Sequence, residues 1–351
     1  MWRTSREYRG PILWLVFTCD QPDVIHEHVV DRKAADRGCS SEVAGMAGDQ
    51  VGRNQDRASD EGGGGCGVMV GYVDDGAYSY ASEDSTVLSN VLTYKYNKLA
   101  EWMNSNKLVI NPEKTHLMVM GSRKHRNKRK DVRMVAGDHI IVPTESEKLL
   151  GGILHQDLGW GLLIRDHKAS LLNQLNSRMY GLRKVSRNAC FNTKLMVANG
   201  VFMSKMAYLI TLWGSGAHQY LLRAVQVQQL AAARVVCGVG SLRWSRRQLL
   251  EKVGWLSVKQ LIFYHMVLQV QKTRTTGVPK DLYQVVSGSY ARNTRSAAGG
   301  QIRQIRTFSS STFKHKAIEA YNRVPEDVRV GTTATVKFKL RKWIKANISI
   351  D

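Results

Sequence analysis

The chain has 351 residues, 43% of them hydrophobic, a length and composition that suit two or more domains with buried cores. Its 51 Lys and Arg outnumber 29 Asp and Glu, leaving a formal charge of +22; a polyanionic partner is expected, nucleic acid first and an anionic membrane surface second. The five cysteines (Cys19, Cys39, Cys66, Cys190 and Cys237) show neither a CxxC pair nor a His at zinc spacing, which argues against a disulfide or zinc framework and for free thiols in a reducing compartment.

In chain order, residues 1–30 contain GPILWLVFTC, a β-branched and aromatic run ended by DQPD, whose length suits a helix or a strand. This longest apolar run, Gly10 to Thr18, is too short to span a bilayer and follows no signal peptide. The expectation is an intracellular protein of cytoplasm or nucleus, neither secreted nor membrane-spanning. Residues 31–67, with mixed charges, small residues and GGGGC, bury too little apolar surface to offset their ordering entropy, and predict a disordered low-complexity insertion.

VMVGYVDDGAYSY, residues 68–80, reads as two alternating strands interrupted by Asp74 and Asp75. Adjacent like charges repel, and a tight turn ahead of Gly76 needs only one acid. Ser82 to Asn106 predicts an amphipathic helix: Val87, Leu88, Val91, Leu92, Tyr96, Leu99, Trp102 and Met103 recur at steps of three and four. Ser82, Asp84 or Ser85 can cap it. LVIN and HLMVMG, around the turn PEKT, predict a second strand pair, and RKHRNKRK at 123–130 a basic tip. MVAGDHIIVP and KLLGGILHQDLGW complete a β-rich unit over 68–160.

The spacing beyond is helical over 162–187, 192–213, 218–237, 245–253 and 256–272, with breaks at Gly214, Gly216, Gly238 and Gly240. Residues 161–275 form this helical region. Residues 276–351 form a basic tail, Ser/Arg/Gly-rich over 285–312, with short helices at 313–323 and 336–347. The fold class expected is α+β.

Two carboxylates at a hairpin tip are hard oxygen donors suited to Mg²⁺ or Mn²⁺, and rigid strands can present such ions to a phosphoryl group. An ordinary Asp-Gly turn with a spare surface acid is the alternative.

Several segments, in order and over most of the chain, resemble the reverse transcriptases of non-LTR retrotransposons. RGPILWLVFTCDQPD resembles the family's Q-G-(ST)-x-L-G-P-x-L-F-x-x-x-x-N-D-L-P motif from Gly10 and Pro11 onward. YVDD at 72–75 resembles the catalytic hairpin of the palm. KLAEWMNSNKLVINPEKTHLMVMG resembles the next motif, N-x-x-K-T, with Asn111, Lys114 and Thr115. KLLGGILHQDLGW resembles L-G-x-x-(LIV)-D-x-x-L-x-W with His155 in the place of the acid. RAVQVQQLAAARVVCGV and LLEKVGWLSVKQLIFYHMVLQV resemble the helices after the thumb. TFSSSTFKHKAIEAYNRVPEDVR resembles the closing S-F-x-x-x-A-x-x-x-W-N-x-L-P-x-x-(LIV)-R with Tyr321 replacing the tryptophan.

The resemblance implies a partial polymerase palm, the YVDD hairpin plus a packing helix, followed by a mostly helical thumb and C-terminal region. It implies RNA-directed DNA polymerase chemistry, with an RNA template, a DNA primer and dNTP as partners and Mg²⁺ or Mn²⁺ as cofactor. Asp74 and Asp75 would hold the metal, Tyr72, Val73, Gly10 and Pro11 would face primer or nucleotide, and Lys114 would neutralise the leaving pyrophosphate. The family's first catalytic aspartate lies on a strand ahead of the Gly10–Pro11 motif. Only nine residues precede Gly10 here, so the chain alone is expected not to polymerise. Asp20, Asp23 and Asp31 are acids within reach in sequence, but no family motif surrounds them. The family also has only a short loop where some 45 residues separate Asp23 from Met69.

Two other readings stay open. One is a non-catalytic grip on RNA or an RNA–DNA duplex through Arg123, Lys124, Arg126, Lys128, Arg129 and Lys130, Arg183, Lys184 and Arg187, and Arg243, Arg246 and Arg247, with Trp213, Trp244 and Trp255 as candidate stacking platforms or core residues. The other, an unrelated phosphohydrolase using Asp74 and Asp75, lacks a recognisable nucleophile motif.

Overall fold

A computed structural model describes residues 12–20, 68–72, 75–82, 84–120, 130–240, 244–287, 301–302 and 313–350. The chain divides into two units at Leu158–Gly159. It is α+β, with small antiparallel sheets in the first unit and helices dominating the second.

In the first unit β1 (Ile12–Asp20) is the middle strand of an antiparallel sheet. On one side it pairs with β3 (Asp75–Ala81), which pairs in turn with β2 (Val68–Tyr72). On the other side it pairs with both β4 (Val109–Ile110) and β5 (His116–Met120). LVIN and HLMVMG therefore do not form the strand pair that their spacing predicts. Each adds to β1, and the residues between them leave the strand as a 3₁₀ turn at Pro112–Lys114. Apolar spacing identifies a strand but carries no information about which neighbour completes its hydrogen bonds.

Helix α1 (Ser85–Ser105) starts where Asp84 Oδ1 accepts from the backbone N–H groups of Thr86 at 2.6 Å and Val87 at 3.3 Å. It ends as Leu108 N–H donates to the Met103 carbonyl and Lys107 takes a left-handed φ of 60°. Its buried face, Leu88, Leu92, Tyr96 and Met103, packs with Ile110, Leu117 and Val119 of the sheet and with Val132, Met134 and Ala136. Each such side chain contributes about 1.5–3 kcal/mol on full burial. Two helix hydroxyls extend this contact: Ser89 Oγ accepts from Arg133 N–H and Thr93 Oγ1 from Val135 N–H, both at 3.1 Å.

Two hairpins complete the unit: β6 (Met134–Ala136) with β7 (His139–Ile141), and β8 (Ser146–Leu149) with β9 (Gly152–His155). The turn of the second is Leu150–Gly151, both at positive φ, 47° and 75°. That is the conformation a two-residue hairpin needs and one that leucine resists.

The second unit comprises α2 (Leu171–Ser186), α3 (Phe191–Ala207, with a π-helical stretch over Ala198–Met203), α4 (Ile210–Gly216), α5 (Gln219–Cys237) and α6 (Arg246–Val253). These are followed by α7 (Val258–Thr276), α8 (Lys280–Val286), α9 (Phe313–Arg323), α10 (Glu326–Arg329) and α11 (Thr333–Asn347). Helix α7 contacts α4, α5, α8, α9 and α11. It is apolar on most sides, burying Leu261, Ile262, Phe263, Met266, Val267 and Val270, as a central helix must. Ser257 and Gln260 form a capping box at its start, and the Gln260 amide also donates to the Ile348 carbonyl at 2.8 Å. On α5, Gln229 donates to the Leu256 carbonyl and Gln226 accepts from Val258 N–H, both at 2.8 Å. Residues 313–348 of the basic tail thus share the core of this unit.

The break predicted at Gly214 and Gly216 is present, since α4 ends at Gly216 and α5 starts at Gln219; a second, unpredicted break falls at Tyr208–Leu209, where Leu209 has φ 54° and α3 and α4 diverge by 54°. Gly214 lies inside α4 and Gly216 is its last residue. A Cβ on Gly214 would sit 2.6 Å from Ile262 Cγ1, and one on Gly216 would overlap the Trp160 indole. Both glycines admit close neighbours, and Gly216 also ends its helix. Among the described residues, no single helix is long and apolar enough to cross a membrane.

Candidate functional site

Of the two adjacent carboxylates, Asp75 belongs to one end of the first unit's sheet. Tyr72 pairs with Asp75 as the last pair of the β2–β3 hairpin, and Val73 and Asp74 lie outside the described residues. Across the next strand boundary, Thr18 pairs with Asp75. Cross-strand partners share a face, and so do residues two apart, so Asp20 joins Thr18 and Asp75 on one face. Register distinguishes that face from the α1 side: Tyr78 and Tyr80, packed towards α1, pair with Leu15 and Leu13. Asp20 stands diagonally from Asp75, a relation that corresponds to roughly 7–8 Å between backbones.

The 3₁₀ turn Pro112–Lys114 adjoins the same stretch of β1. Ile110 pairs with Cys19 and His116 with Val16, so the turn leaves the sheet beside Phe17 and Thr18, which pair on their other side with Gly76 and Asp75. Asn111 caps it, its Oδ1 accepting from Glu113 N–H at 2.9 Å, and Lys114 is exposed at its end. The sheet thus gathers Asp20, Asp75 and Lys114 at one end by register, although they are far apart in sequence. No motif surrounds Asp20; only strand pairing sets it beside Asp75.

Carboxylate oxygens are the hard donors that Mg²⁺ or Mn²⁺ requires, so Asp20 and Asp75 fit that ion in donor type. Among the described residues, no group of three or more His, Cys, Asp and Glu could hold a metal.

The other predicted residues are dispersed. Gly10, Pro11, Arg123, Lys124, Arg126, Lys128, Arg129 and Arg243 lie outside the described residues, and Lys130 is exposed. Arg183, Lys184 and Arg187 are exposed at the C-terminal end of α2, where cations are favoured by the helix dipole. Arg246 and Arg247 open α6, and Arg247 Nε donates to Glu251 Oε1 at 2.8 Å. That exposed pair raises the pKa of the Arg247 guanidinium through the hydrogen bond and charge of Glu251.

Trp213 and Trp255 are buried, donating to the Tyr208 carbonyl and to Asn199 Oδ1, so neither is free to stack on a base. Tyr321 is likewise structural. Its hydroxyl donates to Gln271 Oε1 at 3.0 Å and accepts from Arg274 Nη1 at 2.9 Å, while the buried Arg329 lies 4.6 Å from its ring centre.

Sequence reasoning missed a broader signal. Between Asp166 and Glu251 there is no acidic side chain at all, against twelve Lys and Arg. Tyr180, 71% exposed, stands three and four residues before Arg183 and Lys184 on α2, which interleaves an aromatic with the cations. The longest acid-free interval, not the local clusters, marks this surface.

Comparison of the chain with protein-family models, with curated proteins and with solved structures returns no match.

Proposed function

We propose that the chain is a palm-and-thumb portion of an RNA-directed DNA polymerase resembling those of non-LTR retrotransposons, transferring nucleotides onto a primer 3′-hydroxyl along an RNA template. The observation that carries this reading is the strand register that gathers Asp20, Asp75 and the Lys114 turn at one end of the sheet. Asp74, beside Asp75 in sequence, completes the acidic set in this reading. The carboxylates of Asp20, Asp74 and Asp75 supply hard oxygen donors, and the Lys114 ammonium offsets negative charge developing on a leaving pyrophosphate. A bound Mg²⁺ or Mn²⁺ supplies a lowered hydroxyl pKa and neutralisation of phosphoryl charge. The expectation that the chain cannot extend a primer rested on a missing first aspartate, and Asp20 is the residue whose position bears on it.

A second reading, a non-catalytic grip on RNA or an RNA–DNA duplex, is favoured by the acid-free interval between Asp166 and Glu251. Primer extension on poly(rA)–oligo(dT) with Mg²⁺ or Mn²⁺, beside a salt-titrated binding assay, separates the two. Extension that falls at least ~100-fold in both Asp74→Ala and Asp20→Ala is the expected result, a loss of the size seen when an electrostatic catalytic group is removed. Salt-sensitive binding without extension supports the second reading instead. Extension untouched by either substitution refutes the assignment of the carboxylates.

A further inference from the structure

A cleft of about 500 Å³ opens in the second unit where α2, α3 and α5 pack on one another. Arg183 and Ser186 enter it from the end of α2, Lys194 from the first turns of α3, and Arg234 from the last turns of α5, which close at Gly238 and Val239. Three cations from three helices line it, and no carboxylate does. Like charges held in one concavity repel unless a counter-charge joins them. The Nε of Arg234 is buried and has no hydrogen-bond partner, although buried guanidinium N–H groups are nearly always paired. The Ser186 hydroxyl donates to the Arg183 carbonyl at 2.8 Å, so its proton is already used and the donors facing a ligand are the cations.

We propose that this cleft is a phosphate site for the sugar-phosphate backbone of a bound nucleic-acid strand, with Arg183, Lys194 and Arg234 as its ligands. The cleft suits a tetrahedral polyanion because several independent N–H donors converge on it, and Arg supplies planar paired donors. An extended strand is favoured over an isolated small anion because the positive charge continues past the cleft. Lys184 and Arg187 are exposed on the same helix end, and the exposed ring of Tyr180 precedes them. A run of cations with an aromatic beside it tracks successive phosphates and stacks a base. The proposal rests on the nucleic-acid reading of the preceding subsection.

Two measurements on the full chain test it. In the first, a fluorescent 20-mer RNA–DNA duplex is titrated between 50 and 200 mM salt with the wild type and with Arg183→Gln, Lys194→Gln and Arg234→Gln. Each single variant is expected to lower the slope of log K against log salt by about one phosphate contact. That is roughly a threefold smaller loss of affinity over this range. In the second, acetylation of wild-type lysines is read by mass spectrometry with and without the duplex, and with inorganic phosphate alone. Protection of Lys194 by the duplex is expected, and this readout does not depend on any variant folding.

Duplex binding with an unchanged slope in all three variants and no protection of Lys194 overturns the site while leaving the nucleic-acid reading intact. Protection by inorganic phosphate but not by the duplex also overturns it, in favour of a small-anion pocket. No duplex binding by the wild type overturns both.

Discussion

Substituting Gly214 by alanine tests whether α4 and α7 approach as closely as the packing requires. In an ordinary helix interior the change gains about 1 kcal/mol of helix propensity. At this position the new methyl would lie 2.6 Å from Ile262 Cγ1, 2.9 Å from Cδ1 and 3.0 Å from Cγ2, and Ile262 is buried with little room to turn. Forcing a methyl into a packed core costs about 1–3 kcal/mol, and three simultaneous collisions argue for the upper part of that range. The net expectation is a loss of about 1–2 kcal/mol, or a melting temperature lower by roughly 3–6 °C for a unit of this size. Urea unfolding followed by tryptophan fluorescence reads it, since Trp213 is buried beside the substitution. A double-mutant cycle with Ile262→Ala removes all three colliding atoms. Ile262→Ala alone costs about 2–5 kcal/mol, and the cycle should show a compensating coupling of about 1–3 kcal/mol. A Gly214→Ala protein that is more stable than wild type, or costs that simply add, would refute the close approach.

Other outcomes are as specific. Lys107→Gly, at a left-handed position ending α1, and Leu150→Asn, at one in the β8–β9 turn, should each stabilise by about 0.5–1 kcal/mol in denaturant titration, because the native residues strain against positive φ. Burial, helped by the charge of Arg341, lowers the His265 pKa below 6.5. The unfolded chain therefore takes up a proton below pH 6.5 before the folded one does, and stability falls as pH drops from 6.5 through the folded value. His265→Asn should flatten that part of the stability profile, and an identical profile in both proteins would remove His265 from the account. The Cys190 thiol is exposed and has its pKa lowered by hydrogen bonding from Thr193, whereas burial raises that of Cys237. At neutral pH iodoacetamide should modify Cys190 well before Cys237, with the rate at Cys190 reduced in Thr193→Val.

Local chemistry made part of the fold legible. The three- and four-residue apolar spacing of Leu88, Leu92, Tyr96 and Met103 is the buried face of α1, and Asp84, one of three candidate caps, is the residue that accepts the first N–H groups. The alternation flanking YVDD is the β2–β3 hairpin. What remained hidden depends on partners distant in sequence. No local pattern tells Val109 that it faces Asp20, or that β4 and β5 both serve β1. Nor does a glycine announce whether it ends a helix or admits a neighbour: Gly238 does the first at φ 67°, Gly214 the second, and Gly216 both. The candidate site divided in the same way. Tyr72, Asp75 and Lys114 are candidates by motif resemblance, whereas register alone sets Asp20 apart from Asp23 and Asp31, and helix packing alone brings in Lys194 and Arg234.

The central position of β1 has a consequence for biosynthesis. The strand ILWLVFTCD is made before β3, β4 and β5, its partners among the described residues, and the nearest of them ends at Ala81. At about 5–20 residues per second a ribosome needs roughly 3–12 s to deliver that partner, and longer to reach Met120 on the other side. For that interval an apolar strand has two unsatisfied edges, the condition under which nascent chains recruit holding chaperones or pair with one another. Slowing translation between Asp20 and Ala81, with synonymous rare codons, should raise the insoluble fraction of the nascent protein, and supplying a holdase should restore it.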